Sequence, residues 1–102
     1  MSNGFQIKRS AIHGRGLFAT RSFVPGELIG VYEGEVTSVN GRYVLWVVQD
    51  DGTELGIKGR NALRFVNHSK TPNCAFHCEE LSAIAPIEPG QELTCHYGEE
   101  WA

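Results

Sequence analysis

The chain has 102 residues, 41% of them hydrophobic, so it can form one domain with a small buried core. The formal net charge is -3 and the nine Lys and Arg residues are scattered, which argues against neutralising nucleic-acid phosphates and favours a basic partner. No stretch approaches the ~18 apolar residues of a membrane span, and the N-terminus lacks a signal-peptide layout. We expect an intracellular protein, cytoplasmic or nuclear or nucleoid-associated if its target is chromatin, that contacts neither membrane nor nucleic acid directly.

The hydrophobic pattern predicts short strands along the whole chain and very little helix. No window of a dozen residues keeps a helical stripe, and 12 glycines interrupt the chain. The strand-like segments are, in chain order, residues 5–8, 28–36, 43–49, 53–57, 81–87 and 92–97. Asp50-Asp51-Gly52 predicts a hairpin between the third and fourth segments, and one short helical turn is expected at residues 61–65. The predicted class is mainly β, in one domain.

Two segments repeat almost the same phrase. Residues 25–34 read PGELIGVYEG and residues 89–98 read PGQELTCHYG, each with a Pro-Gly turn and a Tyr four positions after a Leu. Because residues two apart in a strand share a face, we expect Leu28 and Leu93 to be buried and Tyr32 and Tyr97 to point inward. The spacing favours two core tyrosines capped by backbone carbonyls, and it leaves open that both line one polar pocket.

Two further segments carry polar groups that can bind a ligand. Gly14 and Gly16 flank Arg15, and two such glycines let a backbone approach a ligand closely, although the third glycine of a dinucleotide-binding loop is absent. Residues 61–74 place Asn67, His68 and other polar side chains among apolar ones, which is typical of either a surface loop or a ligand site. No serine or cysteine has the surroundings of a catalytic nucleophile.

The cysteines do not predict a disulfide framework or a metal site. Their number is odd, and the three residues are Cys74, Cys78 and Cys95. The Cys-x2-His-Cys spacing at residues 74–78 matches no common zinc finger, and a second pair of ligands at regular spacing is missing. We expect reduced thiols and no metal.

Four segments together resemble the SET domain, the fold of protein-lysine methyltransferases. They are GRGLFA at residues 14–19, GELIGVYEGEV at 26–36, RFVNHSKTPNC at 64–74 and PGQELTCHYG at 89–98. The resemblance covers nearly the whole chain and implies a single SET domain over residues 1–102. It also implies several small curved sheets around a threaded, pseudoknot-like segment, a rare exception to unthreaded chain connections.

The resemblance implies a reaction, a cofactor and a set of site residues. SET proteins transfer a methyl group from S-adenosylmethionine to the ε-amine of a lysine and release S-adenosylhomocysteine. Catalysis would fall to Tyr97, which orients the amine, and to Tyr32, which lines the methyl-transfer pore. Phe76 and Cys95 would line the same substrate channel, where their lack of hydroxyl groups leaves room for more than one methyl. The residues implied in cofactor binding are Gly14, Arg15, Gly16, Arg64, Phe65, Asn67, His68 and Trp101.

The sequence departs from many family members where a zinc cluster and a substrate wall would lie. Lys70 stands where many members carry a cysteine, and the cysteine-rich pre-SET and post-SET segments are missing, which again argues against a metal. The missing segments usually build one wall of the substrate groove. Trp101, by stacking on the adenine, or a second subunit in a homodimer would supply that wall. Trp101 is explained equally well as a hydrophobic anchor.

The implied partner is a protein substrate with an exposed lysine, for example a basic histone-like tail. The alternative is a degenerate SET module that binds a protein or the cofactor without efficient turnover. Retention of Tyr97, Tyr32, Asn67 and His68 favours the enzyme over the binding module.

Overall fold

The computed structural model describes residues 4–39, 41 and 43–96. Within these residues the chain forms ten short strands and one 3-10 helix. The strands are β1 (Phe5–Arg9), β2 (Arg15–Ala19), β3 (Leu28–Val31), β4 (Gly34–Thr37), β5 (Val44–Val48), β6 (Glu54–Gly59), β7 (Asn67–His68), β8 (Cys74–His77), β9 (Glu80–Ala83) and β10 (Glu92–Cys95). The 3-10 helix, Ala62–Phe65, forms where the sequence predicts its one helical turn.

The strands assemble into three small sheets. The first has the order β1-β2-β10-β7, the second β3-β9-β8 and the third β4-β6-β5. The expected mainly β class with several small sheets is therefore confirmed. The threaded segment stays a prediction, because residues 97–102 lie outside the described residues.

The hairpin predicted around Asp50-Asp51-Gly52 is present between β5 and β6. The two strands pair antiparallel from Val44 opposite Lys58 to Val48 opposite Glu54. The Asp51 carboxylate accepts a hydrogen bond from the Thr53 backbone N–H at 3.0 Å, which closes the turn locally.

The single strand expected over residues 28–36 is two strands, β3 and β4, which belong to different sheets. The break falls at Tyr32, whose N–H donates to the Glu79 carbonyl at 2.7 Å. On either side of it the Asn61 side chain holds the Val31 carbonyl at 2.8 Å and the Glu33 N–H at 3.3 Å. A distant asparagine therefore turns the chain where the local pattern predicts continuity.

Other strand boundaries also differ from the pattern. The segment expected at 81–87 ends as a strand at Ala83, and Ile87 forms only an isolated bridge with Phe23. The pattern misses β2, β7 and β8. β2 overlaps the segment of Gly14 and Gly16, where glycines weaken the local strand signal, and it forms because Leu17 pairs with the distant Leu93 of β10.

The two Pro-Gly turns are related by an approximate local two-fold arrangement of hydrogen bonds. Phe23 and Ile87 exchange both backbone hydrogen bonds, at 2.9 and 3.0 Å. These two residues are 64 positions apart, and residues around them that differ by the same 64 positions make equivalent backbone bonds. The Gly26 N–H donates to the Ala83 carbonyl, and in the same way the Gly90 N–H donates to the Ala19 carbonyl. The Ala83 N–H donates to the Glu27 carbonyl, as the Ala19 N–H does to the Gln91 carbonyl. Within the turns, the Glu27 N–H donates to the Val24 carbonyl and the Gln91 N–H to the Glu88 carbonyl. Each turn therefore docks on the strand that precedes the other turn.

This offset corrects the expected faces of the first repeated phrase. Leu28 is 49% exposed, so the expectation that it faces the core is wrong. Its neighbour Ile29 is 7% exposed and corresponds to the fully buried Leu93 under the 64-residue offset. The register of β3 against β9 shifts between Leu28 and Gly30, and after this irregularity Tyr32 is buried, as expected.

The hydrophobic core lies between the first two sheets and the 3-10 helix. Its fully buried side chains are Phe23, Leu17, Leu63, Leu81, Ile87, Leu93 and Cys74. Among the described residues no helix is long and apolar enough to cross a membrane.

Candidate active site

Most of the residues expected at the site line one open cavity. Nine of the twelve do so, namely Gly14, Arg15, Tyr32, Arg64, Phe65, Asn67, His68, Phe76 and Cys95. Gly16 is not part of this lining. Tyr97 and Trp101 lie outside the described residues. The fold thus brings residues from all four motifs to one space.

A parallel strand pair positions Asn67 and His68. β7 runs beside β10, with Asn67 opposite Thr94 and His68 opposite Cys95. The His68 ring meets the His96 ring edge to face, with centroids 4.8 Å apart. The Asn-His-Ser segment therefore lies beside the strand of the closing motif, PGQELTCHYG at residues 89–98.

Three oxygen atoms hold the side chain of Asn67, which is 8% exposed. Its Nδ2 donates to the carbonyls of His13 and Arg15, each at 3.2 Å, and to Glu92 Oε2 at 2.8 Å. Because all three partners are acceptors, the amide nitrogen faces the loop between β1 and β2. No hydrogen bond joins Oδ1 to the part of the chain that the structure describes, so this oxygen remains an acceptor for a ligand.

Tyr32 combines the two alternatives that its spacing left open. Its hydroxyl donates to the backbone carbonyl of Tyr43, and its ring lines the cavity edge to face with Phe76, with centroids 5.7 Å apart. Burial raises the pKa of Tyr32 to about 12, which the nearby Arg64 cation only partly offsets. The hydroxyl is therefore neutral at physiological pH, and towards a ligand it can act only as an acceptor.

Arg64 and Phe65 form a cationic and aromatic corner of the cavity. The Arg64 guanidinium donates to the carbonyls of Arg60 and Asn61, both at 2.8 Å, and lies 4.3 Å from the centre of the Phe65 ring. The Phe65 ring in turn meets Tyr43 at 5.8 Å between centroids. The backbone bonds fix the arginine, so it supports the aromatic wall more than it reaches into the cavity.

Tyr43, which belongs to none of the four sequence motifs, also lines the cavity. Its φ of 67° lies in the left-handed region that favours glycine, and its carbonyl accepts hydrogen bonds from the Tyr32 hydroxyl and the Gly59 N–H. No local signal marks this tyrosine, because its role depends on contacts with residues 11 and 16 positions away.

The thiols of the chain are free, as expected. Cys95 lines the cavity, and burial raises its pKa to about 12, so it presents a neutral thiol there. Residues 4–39, 41 and 43–96 contain no group of three His, Cys, Asp or Glu side chains placed to hold a metal ion.

Glu92 and Ser10 form a further part of the site that the sequence does not predict. The Ser10 hydroxyl donates to the Glu92 carboxylate at 2.8 Å, and the same carboxylate holds Asn67. Glu92 lies inside the closing motif, where the hydrophobic pattern predicts only that it begins a strand. The only local indication that Glu92 has a structural role is a charged side chain directly before the buried Leu93.

The profile of the SET domain matches residues 14–98 of the chain. The chain belongs to the SET domain family. Among curated relatives of this SET domain, histone-lysine N-methyltransferase 2B of Homo sapiens is 36% identical over 113 residues, covering 89% of this chain and 4% of that protein. Histone-lysine N-methyltransferase trithorax of Drosophila virilis is 32% identical, covering 89% of this chain and 3% of that protein. The SET domain thus spans less than a tenth of the length of these relatives.

Solved structures share the fold. The methyltransferase domain of human PR domain-containing protein 2 superposes with a TM-score of 0.76 at 22% identity, covering 98% of this chain and 81% of that one. A structure of ctPRC2 in an autoinhibited conformation, bound to S-adenosylmethionine, gives a TM-score of 0.81 at 22% identity and covers 97% of this chain and 16% of that one. At these identities the likeness establishes the SET fold.

Proposed function

We propose that this SET domain transfers a methyl group from S-adenosylmethionine to the ε-amine of a lysine in a protein substrate. The observation that carries the proposal is the meeting of Gly14, Arg15, Asn67 and Tyr32 around one cavity, in a chain whose relatives are histone-lysine methyltransferases. A basic, histone-like tail is the proposed substrate class, since the chain is itself mildly acidic.

The residues around the cavity fit the chemistry of S-adenosylmethionine, which supplies an electrophilic methyl group on a sulfonium when bound. Asn67 Oδ1 is an acceptor for a cationic group of the cofactor. Arg15 is exposed at the rim and can pair with a carboxylate, and Phe65 offers an aromatic face to a base. Gly14, Arg15, Asn67, His68, Arg64 and Phe65 are the residues that would hold it.

Tyr32, Phe76 and Cys95 supply the wall along which a lysine would approach. A lysine amine must be neutral to act as a nucleophile, yet its ordinary pKa is near 10.4. An aromatic and thiol-lined channel disfavours the ammonium form and so lowers that pKa. Because the Tyr32 hydroxyl donates its hydrogen bond to the Tyr43 carbonyl, its oxygen can accept a hydrogen bond from the lysine amine. That bond would help to aim the lone pair of the amine nitrogen.

Tyr97 is proposed as the catalytic tyrosine that orients the amine. Replacing Tyr97→Phe should abolish most methyl transfer and leave binding of S-adenosylhomocysteine unchanged, because only the hydroxyl is removed. Incubation with radiolabelled S-adenosylmethionine, core histones and a cell lysate measures transfer, and calorimetry measures binding. A substrate with acetylated lysines is the control and should take no label.

The outcomes separate the enzyme from a module that binds without turnover. Cofactor binding without labelled protein would favour the binding module. Equal rates for Tyr97→Phe and the unaltered chain would remove Tyr97 from catalysis. A second copy of the chain that forms one wall of the substrate groove is part of the proposal, and a concentration-dependent specific activity would support it.

A further inference from the structure

A single carboxylate connects three separate segments beside the cavity. Glu92 opens β10 and is half-buried. Both of its oxygens lie 2.8 Å from the Ser10 hydroxyl, and Oε2 also accepts from Asn67 Nδ2 at 2.8 Å. The two partners are 82 and 25 residues away in sequence, so Glu92 joins the loop after β1 to the strand β7.

Gly16 leaves room for this carboxylate because glycine has no Cβ atom. A Cβ atom at Gly16 would lie 2.3 Å from Glu92 Oε2 and 2.9 Å from its Cδ, distances that side chains essentially never show. Gly16 is buried and does not line the cavity. The second glycine of the Gly-x-Gly motif therefore serves the carboxylate rather than a direct contact with a ligand.

Ser10 carries the effect of Glu92 into the loop. Its Oγ accepts from the backbone N–H groups of Ile12 at 2.9 Å and His13 at 3.4 Å, and its own N–H donates to the Gly14 carbonyl at 2.8 Å. With its lone pairs used by the loop, the hydroxyl has one proton left, and that proton goes to Glu92. Glu92 thus holds the loop that borders the cavity through Ser10, in addition to the bonds from Asn67 to the His13 and Arg15 carbonyls.

The same carboxylate, together with two backbone carbonyls, fixes which way the Asn67 amide points. Two carbonyls and Glu92 Oε2 all accept from Nδ2, which leaves Oδ1 for the cavity side. A carboxylate suits this position because it only accepts, and here it faces two donors, Ser10 Oγ and Asn67 Nδ2.

We propose that Glu92 is a positioning residue for the cofactor, which acts by holding Ser10 and the loop after β1 in place and by keeping Asn67 Oδ1 free to accept from a positively charged group. The inference rests on the proposed function, since it takes S-adenosylmethionine as the ligand. Glu92 does not touch the ligand in this scheme and works through its two partners.

Replacing Glu92→Gln tests the proposal with almost no change in volume. A glutamine has one acceptor oxygen for two donors, so its amide hydrogens would face either Ser10 Oγ, whose lone pairs are already used, or Asn67 Nδ2. Loss of one charge-assisted hydrogen bond between position 92 and its partners Ser10 and Asn67 should weaken binding of S-adenosylhomocysteine about tenfold. Calorimetry measures the dissociation constant, and steady-state rates should show a raised KM for S-adenosylmethionine with the KM for the protein substrate unchanged.

Glu88→Gln is the matched control, because Glu88 is exposed, lies in the turn just before β10 and has the same charge. It should leave both constants unchanged. Ser10→Ala removes the donor to Glu92 and the acceptor for the Ile12 and His13 N–H groups, and it should weaken binding severalfold. Its effect should shrink in the Glu92→Gln background because the two residues share one contact. Ser10→Ala also carries the test if Glu92→Gln does not fold.

The failures of the two proposals are distinguishable. An unaltered chain that binds neither S-adenosylmethionine nor S-adenosylhomocysteine overturns the proposed function and this inference with it. An unaltered chain that binds and methylates, together with a folded Glu92→Gln variant of lower thermal midpoint and unchanged affinity, overturns the positioning role and leaves the enzyme.

Discussion

At the scale of single residues, burial separates the three thiols into two kinds. Cys74 and Cys95 are 0% and 3% exposed, and burial raises the pKa of each to about 12. Cys78 is exposed in the turn after β8. Because the thiolate is the reactive form, only the exposed thiol should react readily at neutral pH.

Alkylation tests this separation. Iodoacetamide at pH 8 should modify the exposed Cys78 rapidly and spare Cys74 and Cys95 until the chain is unfolded in urea. Mass spectrometry of tryptic peptides locates the label. Cys78→Ser is the control and should remove all rapid labelling, whereas Cys95 labelling as fast as Cys78 in the folded chain would contradict the assigned burial.

At the scale of elements, the two Pro-Gly turns determine how the repeated phrases meet. Gly26 and Gly90 have φ of 90° and 91°, and the N–H of each donates to the strand that leads to the other turn. A Cβ atom would meet open space at either position, so only the backbone conformation requires glycine there. The cost of a side chain should therefore be the same in both turns.

We predict that Gly26→Ala and Gly90→Ala each lower the free energy of unfolding by about 1 kcal/mol or more, with the two values alike within about 0.5 kcal/mol. Urea unfolding followed by tryptophan fluorescence measures the change. Gly41→Ala is the control, because its Cβ meets open space and its φ is not left-handed, and it should be near neutral. A large difference between the two turn variants would argue against their equivalence.

At the scale of the whole molecule, the buried ionisable groups link stability to pH. The pKa values of Tyr32, Cys74 and Cys95 are each raised to about 12, above their ordinary values of 10 and 9. A raised folded pKa contributes stability that is fully present below the unfolded pKa and is lost as pH rises towards the folded pKa. The sensitive window therefore begins near pH 9, where the unfolded thiols release their protons first.

The free energy of unfolding should fall between pH 8.5 and pH 10.5, by up to about 1.4 kcal/mol per pH unit for each buried thiol. Urea midpoints at the two pH values measure the fall. Cys95→Ala should make the slope shallower, because it removes one of the two buried thiols. A midpoint that does not move over this range would show that the thiols are not protected by burial.

Much of the secondary structure is predictable because it is local. The hairpin at residues 50–52, the strand at the N-terminus and the helical turn before Asn67 follow from side-chain alternation and turn residues. The failures at β2 and at the break beside Tyr32 have one cause. Both depend on partners far along the chain, Leu93 in one case and Asn61 in the other.

The sequence by itself determined the mainly β class, the family and nine of the residues that line the cavity, because motifs and alternation are properties of neighbouring residues. Only the tertiary structure decided that Ile29 rather than Leu28 faces the core, that the Tyr32 hydroxyl donates to a backbone carbonyl, and that the Glu92 carboxylate accepts from the Asn67 amide. Hydrogen bonds and burial between residues tens of positions apart set these features, and a one-residue shift in register reverses every face of a strand.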